Sequence, residues 1–373
     1  MIFFGGTFDP PHNEHIAELK AAMRETGAEK AVVMPTANPP HKETFFKASD
    51  ENRLEMCRLA FGDIKGVEIS DYEIAAGGKS YSYLTLEYLK NEYPDYEILF
   101  LMGTDMLSTF KDWKNPDGIL ACATPLLCER SGDGEKKEKT LADFKAKFGV
   151  EALSVSYVGK EVSSTEIKLK KLLKLPVDDE LKSAVNRLID RLTIYKPDKY
   201  FEFVSENEKP KRVEHTLGVM LCAKELASRE GADVKKALLS ALLHDCGKYL
   251  AAEDYPDCEI PEGTPEPVVH QYLGAYIAEK VLGVKDEEVI DAIKYHTTGK
   301  PDMSLLGKII FTADMIERGR NFDSVDELRK IVAENFEKGF EASLKRSLEF
   351  VEKQGKPVCE LTREAYDFYF KKQ

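Results

Sequence analysis

The residues that could do chemistry here are mostly histidines, seven in 373 positions. His12 and His15 stand three apart, just after Gly5-Gly6-Thr7-Phe8 and the pair Pro10-Pro11. Apolar Met1–Phe4 reads as a strand. A helix is predicted from Asn13, running through Ala21 and Ala22 and stopping at Gly27. A strand, a tight loop and a helix start present backbone N–H groups and the positive end of a helix dipole to an anion. Residues three apart share one helix face. Two imidazoles on that face, with Gly5, Gly6, Thr7 and Phe8 leading into them, make a phosphate cradle.

A second set is spread along the later half: His215, His244-Asp245, His270, His296 and Asp314. Histidine and carboxylate ligands suit iron, manganese, zinc or similar metals. Adjacent His244 and Asp245 project to neighbouring sides of a helix, so both reach a metal only where helices converge. The six ligands are enough for two metal ions with one position open for water. Such a centre makes a hydroxide and clamps a phosphate. Asp245 and Lys248 are the candidate catalytic residues there. Lys248 and Arg318 or Arg320 are candidates to bind phosphate, with charged helix ends as the alternative.

The elements that must position these residues differ between the two halves. Short apolar runs at Lys30–Pro35, Val67–Ser70, Tyr96–Met102, Thr124–Cys128 and Leu153–Val158 read as strands. Helices are predicted at Asn52–Phe61, within Lys79–Leu89 and at Leu181–Tyr195, giving an α/β pattern with a largely parallel sheet. Ligands in such sheets sit off the carboxyl ends of strands. That places weight on Asn38-Pro39-Pro40-His41-Lys42 after the second strand and on Gly103-Thr104-Asp105, followed by Trp113, after the fourth. Asp105 suits a ribose hydroxyl or a helix cap, and Trp113 a ligand or the core. Ser163, Ser164, Thr165 and Lys168 open a helix after the last strand and suit either an ordinary helix start or a triphosphate tail. Ser131–Lys139 reads as a charged surface loop. Polar Lys196–Lys211 reads as a boundary. Beyond it helices are predicted at Arg212–Ser228, Val234–Leu243, Val268–Leu282, Glu287–Tyr295, Ser304–Ile316 and Val325–Gln354.

The chain is long enough for two domains, and its 43% hydrophobic content can supply two cores. A net charge of −13 argues against nucleic acid as a partner. Seven cysteines without a Cys-x-x-Cys argue for reduced thiols. There is no leader-like segment and no long apolar run, so a cytoplasmic protein without a membrane partner is expected. The sequence leaves a homo-oligomer open.

Gly5–His15 resembles the bacterial nicotinate-nucleotide adenylyltransferases of the nucleotidyltransferase superfamily, whose form is Gly-Gly-x-Phe-Asp-Pro-Pro-His-x-Gly-His. Glu14 replaces that last glycine. The resemblance extends to Pro39-Pro40-His41-Lys42, Gly103-Thr104-Asp105 with Trp113, and Val162–Lys168, where Lys168 replaces arginine. It implies an ATP- and Mg²⁺-dependent adenylylation of nicotinate mononucleotide over residues 1–195. His12, His15 and Lys42 would act on the reacting phosphates, and Asn38, Asp105, Trp113, Ser163, Ser164, Thr165 and Lys168 would bind ATP and acceptor.

The later half is similar to the HD-superfamily phosphohydrolases, and among them to the symmetrical diadenosine tetraphosphate hydrolases. Lys211–His215, His244–Lys248, His270, His296 and Ala313–Glu317 carry that likeness across 197–373. It implies a di-iron or similar centre and cleavage of a dinucleoside polyphosphate to two ADP. The fold expected is an α/β Rossmann-like nucleotidyltransferase domain followed by an all-α HD domain. The alternatives are adenylylation of nicotinamide mononucleotide or phosphopantetheine, and an HD domain that acts on other nucleotides or senses them.

Overall fold

The computed structural model describes residues 1–37, 46–130, 134–160 and 162–371. Asn38 and Lys42 lie outside the described residues. The chain divides into two compact units, residues 1–171 with 176–196, and residues 172–175 with 197–373.

The first unit is built on six strands: β1 (Ile2–Gly6), β2 (Ala31–Pro35), β3 (Val67–Ile69), β4 (Ile98–Gly103), β5 (Ala123–Arg130) and β6 (Leu153–Gly159). Their order is β3-β2-β1-β4-β5-β6, and every neighbouring pair is parallel. Parallel neighbours need crossovers. Helices supply them: α1 (Asn13–Thr26), α2 (Asp50–Phe61), α3 (Tyr72–Ala76), α4 (Ser82–Glu92), α5 (Thr104–Ser108), α6 (Pro116–Cys122) and α7 (Gly134–Phe148). The helices α8 (Ser164–Leu172) and α9 (Ser183–Leu192) follow β6. All five residues of β2 are buried, as its unbroken apolar run requires. The order reverses at β1, whose neighbours are β2 and β4, so the crevice of this sheet type opens at the carboxyl ends of β1 and β4.

The charged stretch read as a surface loop is a correction: residues 134–139 begin α7. Leu141, Phe144 and Phe148, at helical spacing, pack on the sheet core beside Phe100 and Phe110, while Lys136, Lys139, Lys145 and Lys147 are exposed. The helix expected over Leu181–Tyr195 is shorter. Thr193 takes a left-handed φ of 48° and ends it at Leu192.

The second unit is helical: α10 (Lys199–Asn207), α11 (Pro210–Glu230), α12 (Val234–Leu243), α13 (Glu266–Tyr276), α14 (Glu287–Lys294), α15 (Leu305–Ile316), α16 (Val325–Glu334), α17 (Phe336–Lys353) and α18 (Glu360–Phe370). The polar boundary holds α10, capped by Asp198 and buried through Phe201 and Val204. The single long helix expected over Val325–Gln354 is two. Asn335 has extended backbone and caps α17 by accepting from the Lys338 N–H. Gly339 then crosses against Val332 so closely that a Cβ would collide with it. The C-terminal helix α18 was not anticipated. Among the described residues no helix is long and apolar enough to cross a membrane.

Candidate active sites

The first site grows from a local hydrogen-bond pattern. His12 caps α1, and the cap is reciprocal. The His15 N–H donates to His12 Nδ1 at 3.3 Å, and the His12 N–H donates to His15 Nδ1 at 3.1 Å. The two rings stack with centroids 3.5 Å apart. With both Nδ1 atoms accepting, a neutral ring carries its proton on Nε2, the tautomer that donates to a phosphate oxygen. Gly5 and Gly6 end β1, and a Cβ on either would press on the rings of Phe3 or Phe8 at about 3 Å. Phe8 itself is buried under His15, ring to ring at 5.2 Å, with a positive φ of 45°. Its side chain therefore supports His15, and the Thr7 carbonyl accepts from Arg53 Nη1 at 2.8 Å.

Asp9 ties this loop to the rest of the unit. Its Oδ2 pairs with Lys168 Nζ at 3.0 Å, and its Oδ1 accepts from Tyr195 Oη at 2.8 Å and the Ala48 N–H at 3.2 Å. Ser164 Oγ donates to the Pro10 carbonyl at 2.9 Å, and Ser163 Oγ accepts from the Glu166 N–H, capping α8. The start of α8, with Thr165, is thus brought to the phosphate loop. Lys168 arrives with it, but buried at 6% exposure and directed to Asp9. Its pair with Asp9 supports the loop, whereas the sequence reading gives it a contact with the triphosphate.

Glu14 turns away from the histidines. It accepts from Tyr157 Oη at 2.9 Å and from the Lys160 N–H at 2.8 Å, so the replacement of glycine is used to hold the end of β6. Asp105 is exposed at the start of α5, beyond the carboxyl end of β4. Trp113 is half-buried, its ring 5.4 Å from Phe110 and 6.2 Å from Phe100, and its Nε1–H donates to Thr109. Asp9, Arg53, Tyr157 and Tyr195 were not singled out from sequence, because their partners are far along the chain.

The second site assembles ligands from five helices or their ends. His215 lies on α11, His244-Asp245 follow α12, His270 lies on α13, His296 follows α14 and Asp314 lies on α15. Two groups have ligand atoms close enough to hold a metal ion: His215, His244 and Asp245, and Asp245, His270 and His296. Asp245 belongs to both. Its Oδ2 is 3.5 Å from His244 Nε2 and its Oδ1 is 3.1 Å from His270 Nε2. Asp314 Oδ1 joins the first group at 2.9 Å from His215 Nε2. Asp245 is 3% exposed, yet Oδ1 has no hydrogen-bond partner. A buried carboxylate whose two oxygens face ring nitrogens is a donor set suited to a metal. The residues fit divalent metal.

The charges here are set by proximity. Burial opposes ionisation of Asp245, but His244, His270 and His296 hold it well below the usual carboxylate range. Burial likewise opposes ionisation of Asp314, which Arg320 and His215 hold far down. Burial pushes His270 down to about 4, leaving it neutral and able to ligate. The cations Arg212 and Lys248 sit at the rim: Arg212 Nη1 is 2.7 Å from Asp245 Oδ2, and Lys248 Nζ is 3.2 Å from His270. Arg320 contacts Asp314. Arg318 is exposed. Thr297, missed from sequence, places its hydroxyl 3.0 Å from His296 Nε2.

A cytidylyltransferase-like family model matches residues 3–170, and an HD domain model matches residues 212–319. A protein of Mycoplasma genitalium named probable nicotinate-nucleotide adenylyltransferase/Ap4A hydrolase is 30% identical over 356 residues, which is 92% of this chain and 97% of that one. The chain belongs to that family. Each half of the family pattern also has separate relatives. The symmetrical bis(5'-nucleosyl)-tetraphosphatase of Bacillus subtilis is 40% identical over 151 residues, 39% of this chain and 81% of its own length. A probable nicotinate-nucleotide adenylyltransferase of Clostridium botulinum is 34% identical over 197 residues, 52% of this chain and 96% of its own.

Proposed function

We propose that the first unit transfers AMP from ATP to nicotinate mononucleotide and that the second cleaves diadenosine tetraphosphate to two ADP. The observation that carries the second activity is Asp245, buried between two histidine groups with one oxygen turned to each. The first rests on the reciprocal His12–His15 cap beyond β1, where the sheet order reverses.

In the first reaction an oxygen of the acceptor phosphate bonds to the α-phosphorus of ATP, and the bond from that phosphorus to pyrophosphate breaks. This needs positioning and charge stabilisation, and no covalent enzyme intermediate. His12 and His15 donate through Nε2 to the transferring phosphate. Ser163, Ser164 and Thr165 at the start of α8 hold the departing pyrophosphate, which leaves with the Mg²⁺ that entered on ATP. Asp105 takes a ribose hydroxyl and Trp113 the base side. Lys168 acts through Asp9. Asn38 and Lys42 complete the reading from sequence.

In the second unit His215, His244, Asp245 and Asp314 would hold one divalent ion, and Asp245, His270 and His296 another, with iron favoured and manganese also suited to the donors. Bound there, the metals supply an activated water and neutralise phosphate charge. Arg212, Lys248 and Arg320 orient the phosphates on either side of the central anhydride bond. The test uses the full chain. Nicotinate mononucleotide should be the best acceptor in a pyrophosphate-release assay, ahead of nicotinamide mononucleotide and phosphopantetheine. Diadenosine tetraphosphate should give ADP alone, and Asp245→Asn should lose bound metal and at least about 100-fold in rate. Turnover by metal-free Asp245→Asn would sink the metal reading.

A further inference from the structure

The histidines of the second unit are braced at Nδ1 in different ways. His244 and His296 each pair Nδ1 with the carbonyl three residues back, Ala241 and Ile293, both at 2.7 Å. His215 meets a carboxylate instead, Glu317 Oε1 at 3.0 Å. Glu317 is 3% exposed, and its Oε2 accepts from the Gly319 N–H at 2.5 Å. Room for it is cut into α11. A Cβ at Gly218, one turn beyond His215, would collide with Glu317 Oε2.

A carboxylate behind an imidazole fixes the Nδ1–H tautomer, turns the Nε2 lone pair forward and makes it more basic. In His215 the forward atom is the one 2.9 Å from Asp314 and 3.3 Å from His244 Nε2. We propose that Glu317 is a positioning residue of the metal centre, acting through His215, and that Gly218 is glycine in order to admit it. This rests on the reading of His215 as a metal ligand. It assigns the two metal positions different dependences. The group holding His215 needs Glu317, and the group of Asp245, His270 and His296 does not.

The test is Mn²⁺ titration of the metal-stripped full chain, read by calorimetry and electron paramagnetic resonance. Wild type should bind two ions. Glu317→Gln should weaken one of them by about 10- to 100-fold and leave the other, with the far-ultraviolet dichroism of the metal-free protein unchanged. Two wild-type sites that persist unaltered in Glu317→Gln would overturn the role of Glu317 and leave the metal reading standing. A wild type that binds no Mn²⁺ would remove the metal reading, and the inference with it. Should the variant not fold, the histidine nitrogen spectrum of the Zn²⁺-loaded wild type decides. A protonated, strongly hydrogen-bonded Nδ1 on His215 supports the assignment, and an unprotonated Nδ1 refutes it.

Discussion

Two buried aspartates are put to opposite uses. Asp9 has both oxygens partnered, by Lys168, Tyr195 and the Ala48 N–H, and it holds a loop. Asp245 keeps one oxygen without a hydrogen bond, among histidines, and is suited to a metal. Removing one member of a buried ion pair strands the other's charge. Lys168→Met is therefore expected to destabilise the first unit by about 3–5 kcal/mol. Urea unfolding followed by the fluorescence of Trp113, the only tryptophan, measures this. A loss below about 1 kcal/mol would mean that Lys168 is not supporting the loop.

Among the elements, the junction of α10 and α11 is expected to respond to pH. Glu208 caps the end of α10, accepts from Thr216 Oγ1 at 2.9 Å, and leaves Oε1 unpartnered and buried. Burial pushes its pKa from 4.5 up to about 7, against the pull of His244. The folded state thus holds this proton more tightly than the unfolded chain. Its stabilisation is complete below the unfolded value and is lost as pH rises through about 7. Glu208→Gln should abolish that slope and, above pH 7, stabilise the metal-free protein by on the order of 3 kcal/mol. Denaturant midpoints at pH 5 and pH 8 check it. A wild type whose stability does not fall over this range would show that Glu208 stays ionised.

At the scale of the whole molecule, every group close enough to hold a metal ion among the described residues comes from the second unit. Stripping metal with a chelator and returning only Mg²⁺ should abolish tetraphosphate cleavage and leave adenylylation within about two-fold. Saturation with Mn²⁺ at about 100 times its dissociation constant should add about 2.7 kcal/mol of stability for each ion bound. Equal loss of both activities, persisting in excess Mg²⁺, would contradict the separation.

Much of this was legible in the residue order, and the reason is distance along the chain. The strand, the glycine loop and the His12–His15 pair on one helix face lie within the first fifteen residues, where turn chemistry and i, i+3 spacing act locally. The metal-type donors were also legible, as residue types in helical sequence. What the tertiary structure decided is which groups meet across long separations. Asp9 and Lys168 are 159 positions apart, Glu14 and Lys160 are 146 apart, and His215 and Glu317 are 102 apart. Periodicity reports which face of an element is apolar, and it is silent on which other face that element packs against. Hence the sequence showed Glu14 and Lys168 only as departures from a pattern, and it left Glu317 without a role. Packing alone sent Glu14 to β6 and Lys168 to Asp9, and placed Glu317 behind the imidazole of His215.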